Sequence, residues 1–133
     1  MTQTPRDQLV ETLRHTMVTL VARSEPDLSA RQLGVFLTCY LSDTPQTVRG
    51  LAAQLKVAKP AITRALDRLE ELDLTGRKRD QNDRRSVLVQ RTMNGNAFLR
   101  GIRSVWPRRT RRAVLRFRRQ HRGRPPRGKR AAD

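Results

Sequence analysis

Apolar residues in the first part of the chain recur at steps of three and four, the periodicity of amphipathic helices. One such stripe spans residues 7–21, and a second helix is predicted to begin at Ser29, where Gln32 completes a capping box. The apolar positions are Leu9, Val10, Leu13, Met17, Leu20 and Val21 in the first helix, and Leu33, Phe36, Leu37, Tyr40 and Leu41 in the second. The pattern therefore predicts two amphipathic helices before residue 42.

Two further helical patterns follow closely. Thr47 is a suitable N-cap for a helix to about Leu55, and Pro60 fits the first turn of the next helix, where its missing N–H costs nothing. The apolar side of that next helix carries Ile62, Ala65, Leu66, Leu69 and Leu72, and its other side carries Lys59, Thr63, Arg64, Asp67 and Arg68. A short connection before a helix with a polar, basic outer face is typical of a helix-turn-helix.

The periodicity changes from helical to extended after Asp73. Residues 74–79 and 86–91 read as strands, and the turn-forming run 80–83 separates them. Thr92 then provides an N-cap for another helix. A hairpin directly after a recognition helix predicts a wing, so we expect a mainly α fold with a small β-hairpin wing, a winged helix-turn-helix.

Charge divides the chain into two parts. The 133 residues include 29 Lys and Arg against 12 Asp and Glu, giving a net charge of +17. Residues 1–102 hold 16 basic and 11 acidic side chains, a net of +5, and residues 103–133 hold 13 basic and one acidic, a net of +12. We expect a regulator-like domain over residues 1–106 and an arginine-rich basic tail over 107–133, disordered from about residue 118.

Composition also narrows the function classes. A strongly basic chain has nucleic acid as its expected partner. No apolar run approaches the roughly 20 residues of a membrane span, and the first residues do not resemble a signal peptide, so we expect a cytoplasmic protein. The single Cys39 excludes an internal disulfide, and His15 and His121 lack carboxylates at metal-ligand spacing. We expect no metal, no cofactor and no enzymatic activity.

Residues 29–102 resemble the multiple antibiotic resistance regulator (MarR) family of bacterial transcription factors. Two stretches carry the resemblance, LAAQLKVAKPAITRALDRLEELDL at 51–74 and RDQNDRRSVLVQRTMNGNAFL at 79–99. The second is the more specific, with matching wing and post-wing positions at Asp80, Asp83, Arg84, Arg85, Thr92 and Gly95. The resemblance implies a homodimeric repressor or activator of double-stranded DNA, with a pocket for a small-molecule effector between its dimer and DNA-binding parts.

Three departures from the family pattern matter. Lys56 and Asp73 both stand where glycine is usual, and a lysine with positive φ costs about 1 kcal/mol. The family's long amphipathic helices after the position of Leu99, which complete its dimer interface, are replaced here by the arginine-rich sequence.

Candidate DNA contacts lie on the second helix of the helix-turn-helix. Arginine reads guanine by paired hydrogen bonds and threonine can contact the thymine methyl, so Thr63 and Arg64 are the candidates for base contacts. Lys59 and Arg68 are the candidates for phosphate contacts. The alternative is a solvated polar helix face without a ligand.

The predicted wing adds a second group of candidates. Arg84 and Arg85 lie where the hairpin turns back, and a narrow minor groove attracts arginine. Asp83 would support the wing by pairing with one guanidinium and so presenting the other. The alternative is a turn whose charges serve only solubility.

Other residues and the tail leave alternatives open. Cys39 is either a redox sensor or an inert packing residue, and the apolar context favours packing. Leu13, Met17, Phe36 and Tyr40 are candidates for an effector pocket, but their spacing is more simply explained by a core.

The tail either strengthens binding to any DNA or results from a frame shift near residues 100–108. The favoured function is a sequence-specific, ligand-responsive dimeric repressor that reads a palindromic operator. The alternatives are a non-specific nucleic-acid-binding protein and a regulator with a frame-shifted C-terminus that dimerises poorly.

Overall fold

The computed structural model describes residues 4–23 and 26–106. In these ranges the elements are α1 (Pro5–Ala22), α2 (Ala30–Leu41), α3 (Val48–Leu55), α4 (Lys59–Glu71), β1 (Thr75–Arg79), β2 (Val87–Arg91) and α5 (Met93–Val105). The mainly α fold with a β-hairpin wing is thus confirmed. The basic tail and its expected disorder lie outside the described residues, and none of the described helices is long and apolar enough to cross a membrane.

Side-chain caps fix where most helices begin. The predicted capping box at Ser29 is present, with the Ser29 hydroxyl accepting from the N–H of Gln32 at 3.1 Å. The hydroxyls of Thr47 and Thr92 cap α3 and α5 by accepting from the N–H groups of Gly50 and Gly95. Helix α1 begins two residues earlier than the stripe predicts, because Thr4 and Asp7 form a capping box that the apolar pattern does not show.

Two turns adopt left-handed backbone at non-glycine residues. Lys56 after α3 and Asp73 after α4 both have φ of 54°. These are the positions where the family pattern has glycine, so the strain considered at Lys56 is present. Asp73 is held in this conformation, since its carbonyl oxygen accepts from the Thr92 hydroxyl at 2.6 Å and its carboxylate accepts from Asn94 at 2.9 Å.

The core lies between α2, α4 and the neighbouring α3, α5 and hairpin. Phe36 is at its centre, stacked on Tyr40 with ring centroids 4.3 Å apart and edge-on to Phe98 at 5.2 Å. The largest fully buried apolar side chains are Val35, Phe36, Leu51, Ile62, Leu66 and Leu69. The apolar back of α4 is therefore in the core, which leaves its polar side outside.

The two strands pair antiparallel, with Thr75 opposite Arg91 and Arg79 opposite Val87. Tyr40 of α2 fastens this hairpin to the core. Its hydroxyl donates to the carbonyl oxygen of Leu74 at 2.6 Å and accepts from the N–H of Thr92 at 2.9 Å. The wing therefore leaves the domain from a fixed base.

Helix α1 buries a different kind of residue from the other helices. It packs chiefly against α5. Its buried residues are Thr12 and Thr16, whose hydroxyls donate to the helix's own carbonyl oxygens at 2.8 Å. The expectation that Leu13 and Met17 are core residues is wrong, because they are 61 % and 39 % exposed. Phe36 and Tyr40, from the same group of four residues, are in the core as expected.

Candidate nucleic-acid interface

The outer face of α4 carries the four residues predicted to contact DNA. Lys59, Thr63, Arg64 and Arg68 are all exposed. They lie on this face because Ile62, Ala65, Leu66 and Leu69 between them are buried in the core. A row of polar and cationic side chains thus remains available on the recognition helix.

The four residues differ in their surroundings. Arg68 donates to the Glu71 carboxylate at 3.1 Å, within the same helix. Among the described residues, no ion pair engages Lys59 or Arg64. An exposed pair such as Arg68–Glu71 contributes only about 0–1 kcal/mol, so Arg68 can exchange its carboxylate for another anion at small cost.

The wing turn presents Arg84 and Arg85 to solvent. Asp83 shapes this turn, although not as predicted. Its carboxylate accepts from the N–H of Arg85 at 3.1 Å and from the Ser86 hydroxyl at 3.0 Å. The expected pairing with a guanidinium is therefore corrected to a contact with the turn backbone. Both carboxylate oxygens instead bond to adjacent groups of their own loop.

A cleft of about 200 Å³ separates the wing from the helix-turn-helix. Lys59 and Thr63 line it from α4, and Arg85 lines it from the wing. The structure thus brings together three of the six predicted DNA contacts, whereas Arg64, Arg68 and Arg84 lie outside the lining.

Arg49 of α3 lines the same cleft, and the sequence reasoning missed it. Its position in the sequence could have indicated this role, because Arg49 lies two residues after Thr47, the N-cap of α3. The first helix of a helix-turn-helix crosses the DNA backbone, so an exposed cation near its start is suitably placed for a phosphate.

Arg77 of β1 is a second residue that the sequence reasoning missed. Its guanidinium donates to Asp67 of α4 at 2.6 Å and to Glu70 of α4 at 2.5 and 2.9 Å. Burial alone would lower the pKa of Arg77, but the hydrogen bonds to Asp67 and Glu70 outweigh burial and raise the pKa above its ordinary value. Arg77 stays charged and joins the wing to the recognition helix.

Cys39 is buried in α2, close to Arg91. Burial raises the pKa of its thiol to about 11, and the nearby Arg91 lowers it only in part. A neutral, buried thiol is a poor nucleophile, which supports the packing interpretation.

An apolar groove of about 550 Å³ lies between α1, α2 and α5. Leu13 and Met17 line it, so these two of the four pocket candidates do face a cavity, whereas Phe36 and Tyr40 do not. Trp106 also lines it, and its buried Nε1 has no hydrogen-bond partner in the described part of the chain. The groove is in the size range of small-molecule sites.

An exposed basic face on the second helix of a helix-turn-helix, flanked by a hairpin with arginines in its turn, defines a winged helix DNA-binding protein. A model of the MarR family matches residues 28–87. A structure of a mutant MarR from E. coli complexed with operator DNA has 28 % identity and a TM-score of 0.59, covering 74 % of this chain and 67 % of that one. Over residues 28–87 the chain is thus similar to the MarR family, and it shares the winged helix fold of these DNA-binding transcription regulators.

Two more distant structures share the fold. An S. aureus MepR mutant bound to an oligodeoxyribonucleotide has 21 % identity and a TM-score of 0.63, covering 75 % of this chain and 71 % of that one. The transcriptional regulator Tm0710 from Thermotoga maritima has 20 % identity and a TM-score of 0.59, covering 89 % of this chain and 88 % of that one. No curated protein sequence matches the chain significantly.

Proposed function

We propose that this protein is a sequence-specific transcriptional repressor that acts in the cytoplasm, binds a palindromic operator as a homodimer and releases it on binding a small molecule. The observation that carries the proposal is the cleft between α4 and the wing. Residues of both elements, Lys59, Thr63 and Arg85, line this one cleft, so a duplex bound to α4 also meets the wing.

The exposed side chains have distinct roles in this proposal. Thr63 and Arg64 contact base edges in the major groove, and Lys59, Arg68 and Arg49 contact phosphates. Base contacts discriminate between sequences, whereas phosphate contacts position the protein on any duplex.

The wing provides the minor-groove contact. Arg84 and Arg85 point from a turn whose backbone is fixed by Asp83, so the turn is ordered before DNA arrives. Arginine in a narrow minor groove responds to its negative potential, and the wing thereby adds preference for groove shape.

The apolar face of α1 supports dimerisation. Its exposed large apolar side chains are Leu9, Val10, Leu13, Met17, Val18 and Val21. A second copy of the chain would cover such a face, and a two-fold axis would place two recognition helices about 34–36 Å apart, one helical turn of DNA.

The groove between α1, α2 and α5 supports control by an effector. A small apolar molecule there would contact α1 and α5 on one side and α2 on the other. Since α2 also supplies Phe36 and Tyr40 to the winged helix core, filling the groove would shift the DNA-binding half relative to the dimer half.

Footprinting on the DNA flanking the protein's own gene tests the proposal. We expect two protected half-sites about one turn apart. Arg64→Ala should cost about 1–3 kcal/mol of operator binding and relax one base position, and Lys59→Ala should weaken all sequences alike and reduce the salt slope by about 1. Binding that follows ionic strength without sequence preference would contradict the proposal.

The basic C-terminal segment favours a second candidate, a non-specific nucleic-acid-binding protein. Residues 107–133 have a net charge of +11, which can neutralise many phosphates. A variant lacking residues 107–133 separates the two. If operator binding persists with a smaller salt slope, the winged helix reads the sequence; if the full chain never prefers an operator, the second candidate holds.

A third candidate is a regulator impaired by a frame shift near residues 100–108. Resequencing the gene through this region tests the shift directly. Analytical ultracentrifugation of the full chain tests its consequence, since a chain that is monomeric at micromolar concentration could not bind a palindrome as a preformed dimer.

A further inference from the structure

The guanidinium of Arg77 spans two elements. From β1 it reaches Asp67 through Nη2 at 2.6 Å, and it reaches Glu70 through Nη2 and Nε at 2.5 and 2.9 Å. The ion pairs Arg14–Glu11 and Arg68–Glu71, by contrast, each remain within a single helix. We call the three residues Arg77, Asp67 and Glu70 the wing tie.

The wing tie is more enclosed than an ordinary surface ion pair. The Arg77 side chain is 25 % exposed, and it lines the cleft with Lys59 and Thr63. A forked guanidinium engaged by two carboxylates has a fixed orientation, which a single flexible pair would lack. The wing tie therefore restrains the orientation of β1 relative to the recognition helix α4.

The negative charges of Asp67 and Glu70 also affect DNA binding. Asp67 follows Thr63 by one helical turn on α4 and is exposed. Acidic groups beside a phosphate backbone repel it, so an unpaired Asp67 and Glu70 would oppose binding. Arg77 compensates part of this charge, and its Nε and Nη2 are already committed to the carboxylates.

We propose that Arg77 is a positioning residue for DNA binding: it acts through Asp67 and Glu70 to set the inclination of the wing against the recognition helix, and does not itself contact DNA. The test of this inference by DNA affinity rests on the proposed function. Its test by hydrogen exchange of the free protein does not.

The DNA-binding test removes each partner of the wing tie in turn. Arg77→Gln removes the guanidinium, and the double variant Asp67→Asn with Glu70→Gln removes both carboxylates. We expect each to lower the ratio of operator to random-DNA affinity by about tenfold, and the triple variant to be no worse than either, because all three changes remove one shared interaction. Loss of stability alone would weaken both DNAs alike and leave the ratio unchanged.

An unchanged affinity ratio would overturn the proposal. If Arg77 contacts a phosphate directly, Arg77→Gln weakens operator and random DNA alike and the double variant strengthens both alike, so the ratio stays the same in each. Glu71→Gln is the matched control, since it removes a carboxylate from the same helix that pairs with Arg68 and not with the wing. We expect this control to stay within about twofold of the unmodified protein.

Hydrogen exchange of the free protein gives the independent measurement. We expect faster amide exchange in β1 and β2 for both Arg77→Gln and the double variant, with α2 and α3 unchanged. Unchanged hairpin exchange in both variants would overturn the wing tie. Faster exchange in a protein that prefers no operator would leave the tie in place and reject the proposed function instead.

Discussion

The winged helix and helix α1 use their apolar residues in opposite ways. In the winged helix, Phe36 and Leu66 are completely buried and the charged residues remain outside. In α1 the buried residues are threonines, while Leu13 and Val21 are 61 % and 75 % exposed. Among residues 4–23 and 26–106, the winged helix buries its apolar side chains within one chain, whereas α1 leaves most of its large apolar side chains exposed. An amphipathic stripe therefore identifies a face that avoids water, but not the surface that covers it.

The largest expected effect concerns the winged helix core. Phe36→Ala should reduce the free energy of unfolding by about 4 kcal/mol, because the cavity removes the contacts with Tyr40 and Phe98. Leu13→Ala, measured at concentrations where the chain is monomeric, should cost less than about 0.5 kcal/mol. Urea unfolding measures both. Equal losses at the two positions would remove the contrast between the regions.

The next effect concerns the apolar face of α1. Replacing both Val10 and Leu13 by serine should raise the dimer dissociation constant at least about tenfold, since each side chain contributes about 1 kcal/mol or more when covered. Sedimentation velocity measures the association. Met93→Ser is the control, because Met93 is an equally large apolar residue, 89 % exposed, at the start of α5 and not on α1. A similar loss in the control would show that general surface hydrophobicity drives association.

A smaller effect distinguishes two turns within the winged helix. Lys56→Gly should stabilise the protein by about 1 kcal/mol, because glycine adopts φ of 54° without steric strain. Asp73→Gly should increase the stability by less, since this variant also loses the hydrogen bond from Asn94. Thermal unfolding of the two variants compares them. A larger gain at Asp73 would mean that its hydrogen bonds do not compensate for the strain.

The smallest expected effect is at Cys39. With a thiol pKa of about 11, Cys39 is ionised only as the pH approaches that value, so at pH 8 roughly one thiol in a thousand is a thiolate. Peroxide at pH 8 should therefore oxidise Met93, which is 89 % exposed and lies outside α1, before Cys39, and DNA binding should not respond to oxidation of Cys39. Mass spectrometry locates the modified residues. Early oxidation of Cys39 would favour the redox-sensor alternative.

Local signals explain which parts of the fold were predictable. The caps at Ser29, Thr47 and Thr92 act on backbone groups three residues away, and each is confirmed. These caps depend on neighbours in the sequence, so they need no knowledge of the tertiary structure. The positive φ at Lys56 and Asp73, by contrast, was indicated only by the resemblance, in which glycine is usual at both positions.

The features that sequence did not predict depend on contacts between distant elements. Arg77 reaches Asp67 across ten residues because the hairpin lies back along α4, and no periodicity contains that information. The partner of Asp83 was predicted incorrectly for a related reason. Several groups of one turn compete for a carboxylate, and only their geometry decides between a guanidinium and a backbone N–H. The roles of the candidate DNA-contacting residues remain predictions.

The position of the Tyr40 hydroxyl has a mechanical consequence. One oxygen atom holds the residue before β1, Leu74, and the residue after β2, Thr92. Gly95 in the first turn of α5 lies so close that an added Cβ would overlap this hydroxyl. The same hydroxyl thus links both ends of the hairpin to the start of α5, so a substitution of Gly95 would disturb both strands of the wing and the helix at once.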